Sequence, residues 1–385
     1  MSATTEKPSE GRWRARQLIH EISESQGFVN EQDLARMPEE IAERVRKAIS
    51  DKNRMIALPI ARYEYQRSGV DRPLTRNLLL SLARDVSMND LSFIHELIRN
   101  ADESQYTRAQ TAGKLPQVAF EVHPNLVVVE SNQDGFSHED VKAICNIGVS
   151  TKPLPGSGMR ERGTGFKSAF KVARKVQISS NDFSFYFEHK PGDTGMGMVS
   201  PIWDEPEGSS SNKTTVITLH LHDNVHCAVG TIRDAIIKQL HGLQAATLLF
   251  FRALKRVHVR IFDEAGQRTS WTLHLKRTCN DSNQVEIKSI HAEKINLPKE
   301  IVLNQFYVHR HITNGIPETE YAVFKKQDGR LQTLTESEVV LAFPLSQDSS
   351  PIIDNQDSFA YFPIRKAGFK VGPTSGFVAG RSDCV

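Results

Sequence analysis

Phe93-Ile94-His95-Glu96-Leu97-Ile98-Arg99-Asn100-Ala101-Asp102-Glu103 is the stretch whose reading decides the fold. Phe93, Ile94, Leu97, Ile98 and Ala101 recur at helical spacing, so the segment reads as a helix with one buried stripe. Glu96 and Asn100 stand four residues apart and leave the same side of that helix, one turn from each other. One face packs, and an adjacent edge presents a carboxylate beside a carboxamide. This pair suits a magnesium nucleotide. The carboxylate orients and deprotonates a water, and the amide oxygen takes one position on a hard cation. Taken alone, a Glu and an Asn on a helix describe an ordinary solvated face.

Two further motifs follow in order. Leu126-Val127-Val128-Val129 is a short β-branched run, and Glu130-Ser131-Asn132-Gln133-Asp134-Gly135 carries it into a tight turn. Ser137 then reads as the N-cap of a helix, with Asp140 at the capping-box position and Val141, Ile144, Cys145 and Ile147 on one side. The third motif is Gly163-Thr164-Gly165-Phe166-Lys167-Ser168. It leads into a stretch that reads as a helix from Phe166 to Lys175, with Phe166, Ala169, Phe170 and Ala173 as its stripe. Glycines at a helix entrance let backbone N–H groups approach an anion, and Lys167 adds a full charge. Common phosphate loops are excluded. Gly158 and Gly163 have Walker spacing, but Thr164 stands where the lysine belongs, and Ser168 stands where a dinucleotide fingerprint has its third glycine.

In order, spacing and flanking hydrophobics these motifs resemble the GHKL (Bergerat-fold) ATPases, the class of gyrase, heat-shock chaperones, sensor histidine kinases and MutL. The likeness is strongest to the sacsin and NO VEIN branch. It rests on Glu96-Leu-Ile-Arg-Asn100-Ala-Asp102-Glu103, on Gly135-Phe136-Ser137 followed by Ala143 to Lys152, and on Arg162 to Val172 continuing to Phe185. It covers about residues 78–222, with a weaker likeness onward. The resemblance implies an α/β (α+β) sandwich with helices on one face of a mixed sheet, ATP and magnesium lying in the helical layer. Carried over residue by residue, it implies Glu96 as general base and Asn100 as magnesium ligand. Gly163 and Gly165 would form the phosphate cradle, with Thr164 and Phe166 among the nucleotide-binding residues and Lys167 as a phosphate contact. Ser150, Thr151 and Lys152 would open the mobile lid, and Pro153, Pro155, Gly156, Ser157 and Gly158 suit a loop that closes over nucleotide. The wider class has an Asp-x-Gly-x-Gly signature whose Asp reads adenine. Here Asn132-Gln133-Asp134-Gly135-Phe136 stands in its place, and Asn132 and Asp134 both remain candidates beside Gly135. An amide reader, donor and acceptor at once, would relax base specificity.

The chain has 385 residues, enough for two or three domains, and a net charge of +2, which gives no whole-chain argument for nucleic acid. The polar start carries no apolar signal core, and no apolar run is long enough to span a membrane. Four cysteines without a Cys-x-x-Cys fit a reduced cytoplasmic or nuclear setting. Residues 1–10 read as a disordered start and 11–75 as a helical preface with Leu18, Ile22, Leu34, Ile41, Val45 and Ile49 in an amphipathic stripe. Residues 76–222 form the expected nucleotide domain, with a loop from Asp204 to Thr214. Residues 223–385 form a second, transducer-like α/β domain, expected to be incomplete at its C-terminus. In it Ala228 to Leu254 reads as one long helix, and Val257–Phe262, Trp271–Leu275 and Val285–Ile290 read as strands. Lys370 is the candidate for a lysine inserted at the γ-phosphate.

Other constellations are weaker. His220, His222, His226 and Cys227 lack the second spaced pair of a zinc site. Arg252, Lys255, Arg256, His258 and Arg260 form a basic run without interleaved aromatics, which reads as a solvated face. The expectation is therefore a magnesium-dependent ATP-binding module that hydrolyses ATP slowly and couples it to conformational change. The alternative is a non-hydrolysing, nucleotide-responsive switch or chaperone-like scaffold. A histidine kinase, with His20 as phosphoacceptor, ranks last. Protein clients and a nucleotide-dependent dimer are the partners such a module would take.

Overall fold

The computed structural model describes residues 10–25, 39, 43, 92–145, 166–189, 198–204, 214–222, 226–227, 230–266, 268–277, 283–292, 300–314, 323–325, 331–333, 336–352, 355–360, 362–370 and 379–381. The architecture is mixed α/β with a large sheet, and strands outweigh helices among the described residues. The chain divides into two compact units. Unit 1 holds residues 1–93, 135–151 and 162–228; unit 2 holds 94–134, 152–161 and 229–385.

In chain order, helix α1 (Glu10–Ser25) belongs to unit 1, and α2 (Ser92–Asp102) lies in unit 2 from Ile94 on. Helix α3 (Thr107–Thr111) and strands β1 (Gln117–Val122) and β2 (Leu126–Ser131) follow in unit 2. Unit 1 resumes with α4 (His138–Cys145), a 3-10 helix (Phe166–Lys171), β3 (Ala173–Ser180), β4 (Phe183–Glu188), β5 (Ile202–Trp203), β6 (Thr215–Leu221) and β7 (His226–Cys227). The rest of unit 2 holds β8 (Gly230–Thr231), α5 (Ile232–His241), a second 3-10 helix (Ala245–Leu249), β9 (Arg256–Phe262), β10 (Arg268–Arg277), β11 (Gln284–Ala292) and β12 (Glu300–Asn314). It ends with β13 (Val323–Lys325), β14 (Leu331–Thr333), β15 (Glu336–Leu345), β16 (Asn355–Ala360), β17 (Phe362–Lys370) and β18 (Ala379–Arg381).

Within unit 2 the strands run in the order β17-β16-β18-β15-β12-β11-β10-β9-β1-β2. β1 pairs with β2 antiparallel but with β9 parallel, Val118 opposite Val257 and Phe120 opposite Val259. Period-two alternation places Val118, Phe120, Val122, Val257, Val259, Trp271, Leu273, Val285 and Ile287 on one buried face. The second 3-10 helix packs against β10 and β11. The expected strands at Val257–Phe262, Trp271–Leu275 and Val285–Ile290 fall inside β9, β10 and β11.

Within unit 1 the order is β6-β3-β4-β5, all antiparallel. Phe185 and Phe187 are fully buried and meet edge to face at 5.6 Å. Helix α1 packs on β4, β5 and α4, with Ala15, Leu18 and Ile19 buried. The remainder of the expected preface stripe, from Leu34 to Ile49, lies outside the described residues.

Two expected helices are corrected. Phe166 to Lys175 is not one helix. The 3-10 turns stop at Lys171, and β3 begins at Ala173. Ala173, Val176, Ile178 and Ser180 form the buried face of a strand flanked on both sides, so sheet pairing overrides the helical spacing that overlaps it. Ala228 to Leu254 is likewise broken. Thr231 and Asp234 form a capping box that starts α5, and Gly242 caps its end.

Candidate functional site

Helix α2 forms as its stripe dictates: Phe93, Ile94, Leu97, Ile98 and Ala101 are all buried. Glu96 and Asn100 leave the adjacent edge together. Asn100 Nδ2 donates to Glu96 Oε1 at 3.3 Å. Arg99 Nη2 donates to the same oxygen at 2.8 Å, and Arg99 Nε lies 3.8 Å from Glu103 Oε1. The side chains of Glu96, Arg99 and Glu103 are only 15–16% exposed. The carboxylate and the carboxamide are thus held side by side on a half-buried edge.

Asp102, at the end of α2, has a role that sequence reasoning missed. Its side chain is buried, and its oxygens accept the backbone N–H groups of Arg252, Ala253 and Leu254, each at 2.9 Å. Burial pushes its carboxyl above the ordinary aspartate value, while the three amides and Lys255 pull it back. The carboxylate therefore pins the segment leading into β9 to the end of α2. Nothing local in the sequence signals this, because the donors lie about 150 residues away.

Tyr106 is buried beneath the same turn. Its hydroxyl donates to the Ala101 carbonyl at 2.8 Å and meets Ser131 Oγ at 3.0 Å. Desolvation raises its pKa.

The two adenine candidates are engaged in unit 2. Asn132 Oδ1 accepts from Gln117 N and its Nδ2 donates to the Leu115 carbonyl, both at 2.9 Å. Asp134 caps α3, its two oxygens accepting Thr107 N and Arg108 N at 2.8 Å. Partial burial raises the Asp134 carboxyl, but the Arg108 and Thr107 amides and the Arg108 guanidinium hold it below the usual range. Both side chains lock the β1–β2 end of the unit, a task that the strand-to-turn pattern did not reveal.

Gly135 adopts φ +90°. That left-handed backbone favours glycine, and a Cβ there would also displace the Asn181 side chain, whose Nδ2 would lie 2.1 Å away. Ser137 caps α4 as expected, with Ser137 N donating to Asp140 Oδ2 at 2.9 Å and Asp140 N to Ser137 Oγ at 3.2 Å.

In unit 1 the structure places Lys167 in the core. It is 1% exposed and donates to the Met198 carbonyl, with its ammonium 4.5 Å from the Phe187 ring centroid and 5.6 Å from that of Phe166. Burial lowers its pKa to about 8. Burial likewise pushes the Cys145 thiol up to about 12. Phe166 packs against Phe187 at 6.3 Å. A phosphate contact from Lys167 would require it to leave this cage. Ser150, Thr151, Lys152, Gly163, Thr164 and Gly165 lie outside the described residues. Lys370 ends β17. His220 and His222 take separate partners, Gln177 Oε1 at 3.5 Å and the Phe170 carbonyl at 3.1 Å. Among the described residues no helix is long and apolar enough to cross a membrane.

No family model matches the chain. A stretch of 145 residues is 32% identical to Protein NO VEIN of Arabidopsis thaliana. The match covers 38% of this chain and only 5% of that protein's length, and it supports a NO VEIN-like relationship for this part of the chain.

Proposed function

We propose that α2 carries the working edge of a magnesium-dependent ATP-binding module of the GHKL kind, which hydrolyses ATP slowly and couples it to conformational change. The observation that carries this reading is the Glu96–Asn100 pair, tethered at 3.3 Å on a half-buried helix edge. The NO VEIN-like segment and the motif order support it. Glu96 is the base. It takes a proton from water as the water oxygen bonds to the terminal phosphorus. The bond from that phosphorus to the bridging oxygen breaks, the electron pair stays with ADP, and the products are ADP, phosphate and a proton.

The donor set fits a hard cation. Asn100 Nδ2 turns toward Glu96, which puts the neutral amide oxygen on the other side of the group, an oxygen ligand suited to magnesium among waters and phosphate oxygens. Magnesium, when bound, neutralises phosphate charge. In the same proposal, the roles at Ser150, Thr151, Lys152, Gly163, Thr164, Gly165 and Lys370 are those the resemblance implies, and the module acts in the cytoplasm or nucleus on protein clients. Lys167 stays with the core.

Titration calorimetry with ATP and magnesium, paired with phosphate release, tests the reading. Asn100→Ala should weaken magnesium-dependent binding at least tenfold. Glu96→Gln should keep binding and lose at least about 100-fold in turnover. Unchanged turnover in Glu96→Gln refutes the assignment. A second reading, a nucleotide-responsive switch without hydrolysis, is favoured by the confinement of the Lys167 ammonium within unit 1. Tight binding without single-turnover phosphate release selects it.

A further inference from the structure

Glu96 has two carboxylate oxygens with different surroundings. Oε1 accepts from Arg99 Nη2 at 2.8 Å and from Asn100 Nδ2 at 3.3 Å, whereas Oε2 has no partner among the described residues. Arg99 also faces Glu103, its Nε 3.8 Å from Oε1 as an ion pair without a hydrogen bond, so the guanidinium lies between a carboxylate one turn before it and one a turn after it. Exposed ion pairs at this spacing fray and contribute little. This bridge is different, because all three side chains are largely withdrawn from water. The planar guanidinium aims its Nη2 N–H at one oxygen, a direction that the rotating ammonium of a lysine does not reproduce.

We infer that Arg99 is a positioning residue for Glu96, clamping Oε1 so that Oε2 is the oxygen presented to the attacking water. The inference rests on the base role proposed above for Glu96. Glu103 adds electrostatic attraction from the following turn, which holds the guanidinium along the same edge. Without the clamp the Glu96 side chain samples other rotamers, and the fraction of bound nucleotide with a correctly aimed base falls. The loss belongs in kcat, since Arg99 acts on the base and not on nucleotide affinity.

Steady-state phosphate release from MgATP by the 385-residue chain tests this, with thermal melting of every variant as the folding control. Arg99→Gln should lower kcat about tenfold with KM within twofold of wild type. Arg99→Lys, which keeps charge but not the planar guanidinium, should recover part of that loss. In a Glu96→Gln background Arg99→Gln should cost nothing further, because the two act as a unit. Equal costs in both backgrounds would mean a structural role only and overturn the inference. So would an Arg99→Gln enzyme with wild-type kcat, while Glu96→Gln remains inactive; that result leaves the base assignment standing. If Glu96→Gln turns over like wild type, or wild type releases no phosphate, the base reading itself fails and the clamp with it.

Discussion

Helix α2 and the Phe166–Lys171 segment carry the same kind of sequence signal, an apolar stripe beside a polar residue suited to a nucleotide, yet they use it oppositely. α2 buries its stripe and holds Glu96, Arg99 and Asn100 at a half-buried edge. The 166–171 segment buries Phe166, Ala169 and Phe170 and takes its lysine in with them. The difference teaches that a charged residue next to a stripe is presented only where the backbone geometry keeps it off the packed face. An α-helix does so at i, i+4. The 3-10 segment keeps no such exposed edge: Phe166 to Phe170 are five consecutive buried residues, and Lys167 is enclosed with its neighbours.

The comparison breaks most visibly at Asp102. If α2 is an edge held in place from its C-terminal end, Asp102→Ala strands three amide donors. It should cost about 3–5 kcal/mol of stability in chemical denaturation, comparable to breaking a buried charge network. A loss under about 1 kcal/mol would show that the anchor is dispensable.

The Lys167 side of the comparison has a pH signature. Its folded pKa, about 8, lies below the ordinary lysine value, so the unfolded chain binds more protons between about 8 and 10.4. This group's contribution to stability therefore rises as pH increases through that window, by at most about 3 kcal/mol. Lys167→Met removes the effect. The variant should be more stable than wild type at pH 7, with the gap narrowing toward pH 10 in urea titrations. If the lysine instead serves nucleotide, the variant will lose ATP affinity, and the contrast with α2 disappears.

The smallest expected effect sharpens the comparison from between the two motifs. Ser137→Ala removes one half of the α4 capping box and should cost about 1 kcal/mol by the same denaturation assay, with ATP affinity unchanged. A large effect on affinity would attach this turn to the working edge.

Much of the fold was legible before the structure. The buried stripe of α2, the β2 run, the capping box at Ser137 and strands β9 to β11 follow from local periodicity and cap chemistry, which act over a few residues. The two misread helices have different causes: between Ala228 and Leu254 the cap chemistry of Thr231, Asp234 and Gly242 sets the bounds of α5. At Ala173 a helical and a strand pattern overlap, and hydrogen bonding to β4 and β6 decides between them. In the candidate site, the Glu96–Asn100 pair was visible as a spacing. The hydrogen-bonding duties of Asn132 and Asp134 were not, because their partners, Gln117, Leu115, Thr107 and Arg108, are set by chain packing.

The sequence by itself determined which helix carries a carboxylate beside a carboxamide, since helical periodicity alone puts positions 96 and 100 together. Only the tertiary structure decided that Asp102 is a buried anchor and that Lys167 belongs to the core of unit 1. The reason is physical. Periodicity depends on neighbours within a turn or two, whereas the burial of a charge depends on amides, carbonyls and rings that distant parts of the chain bring to it.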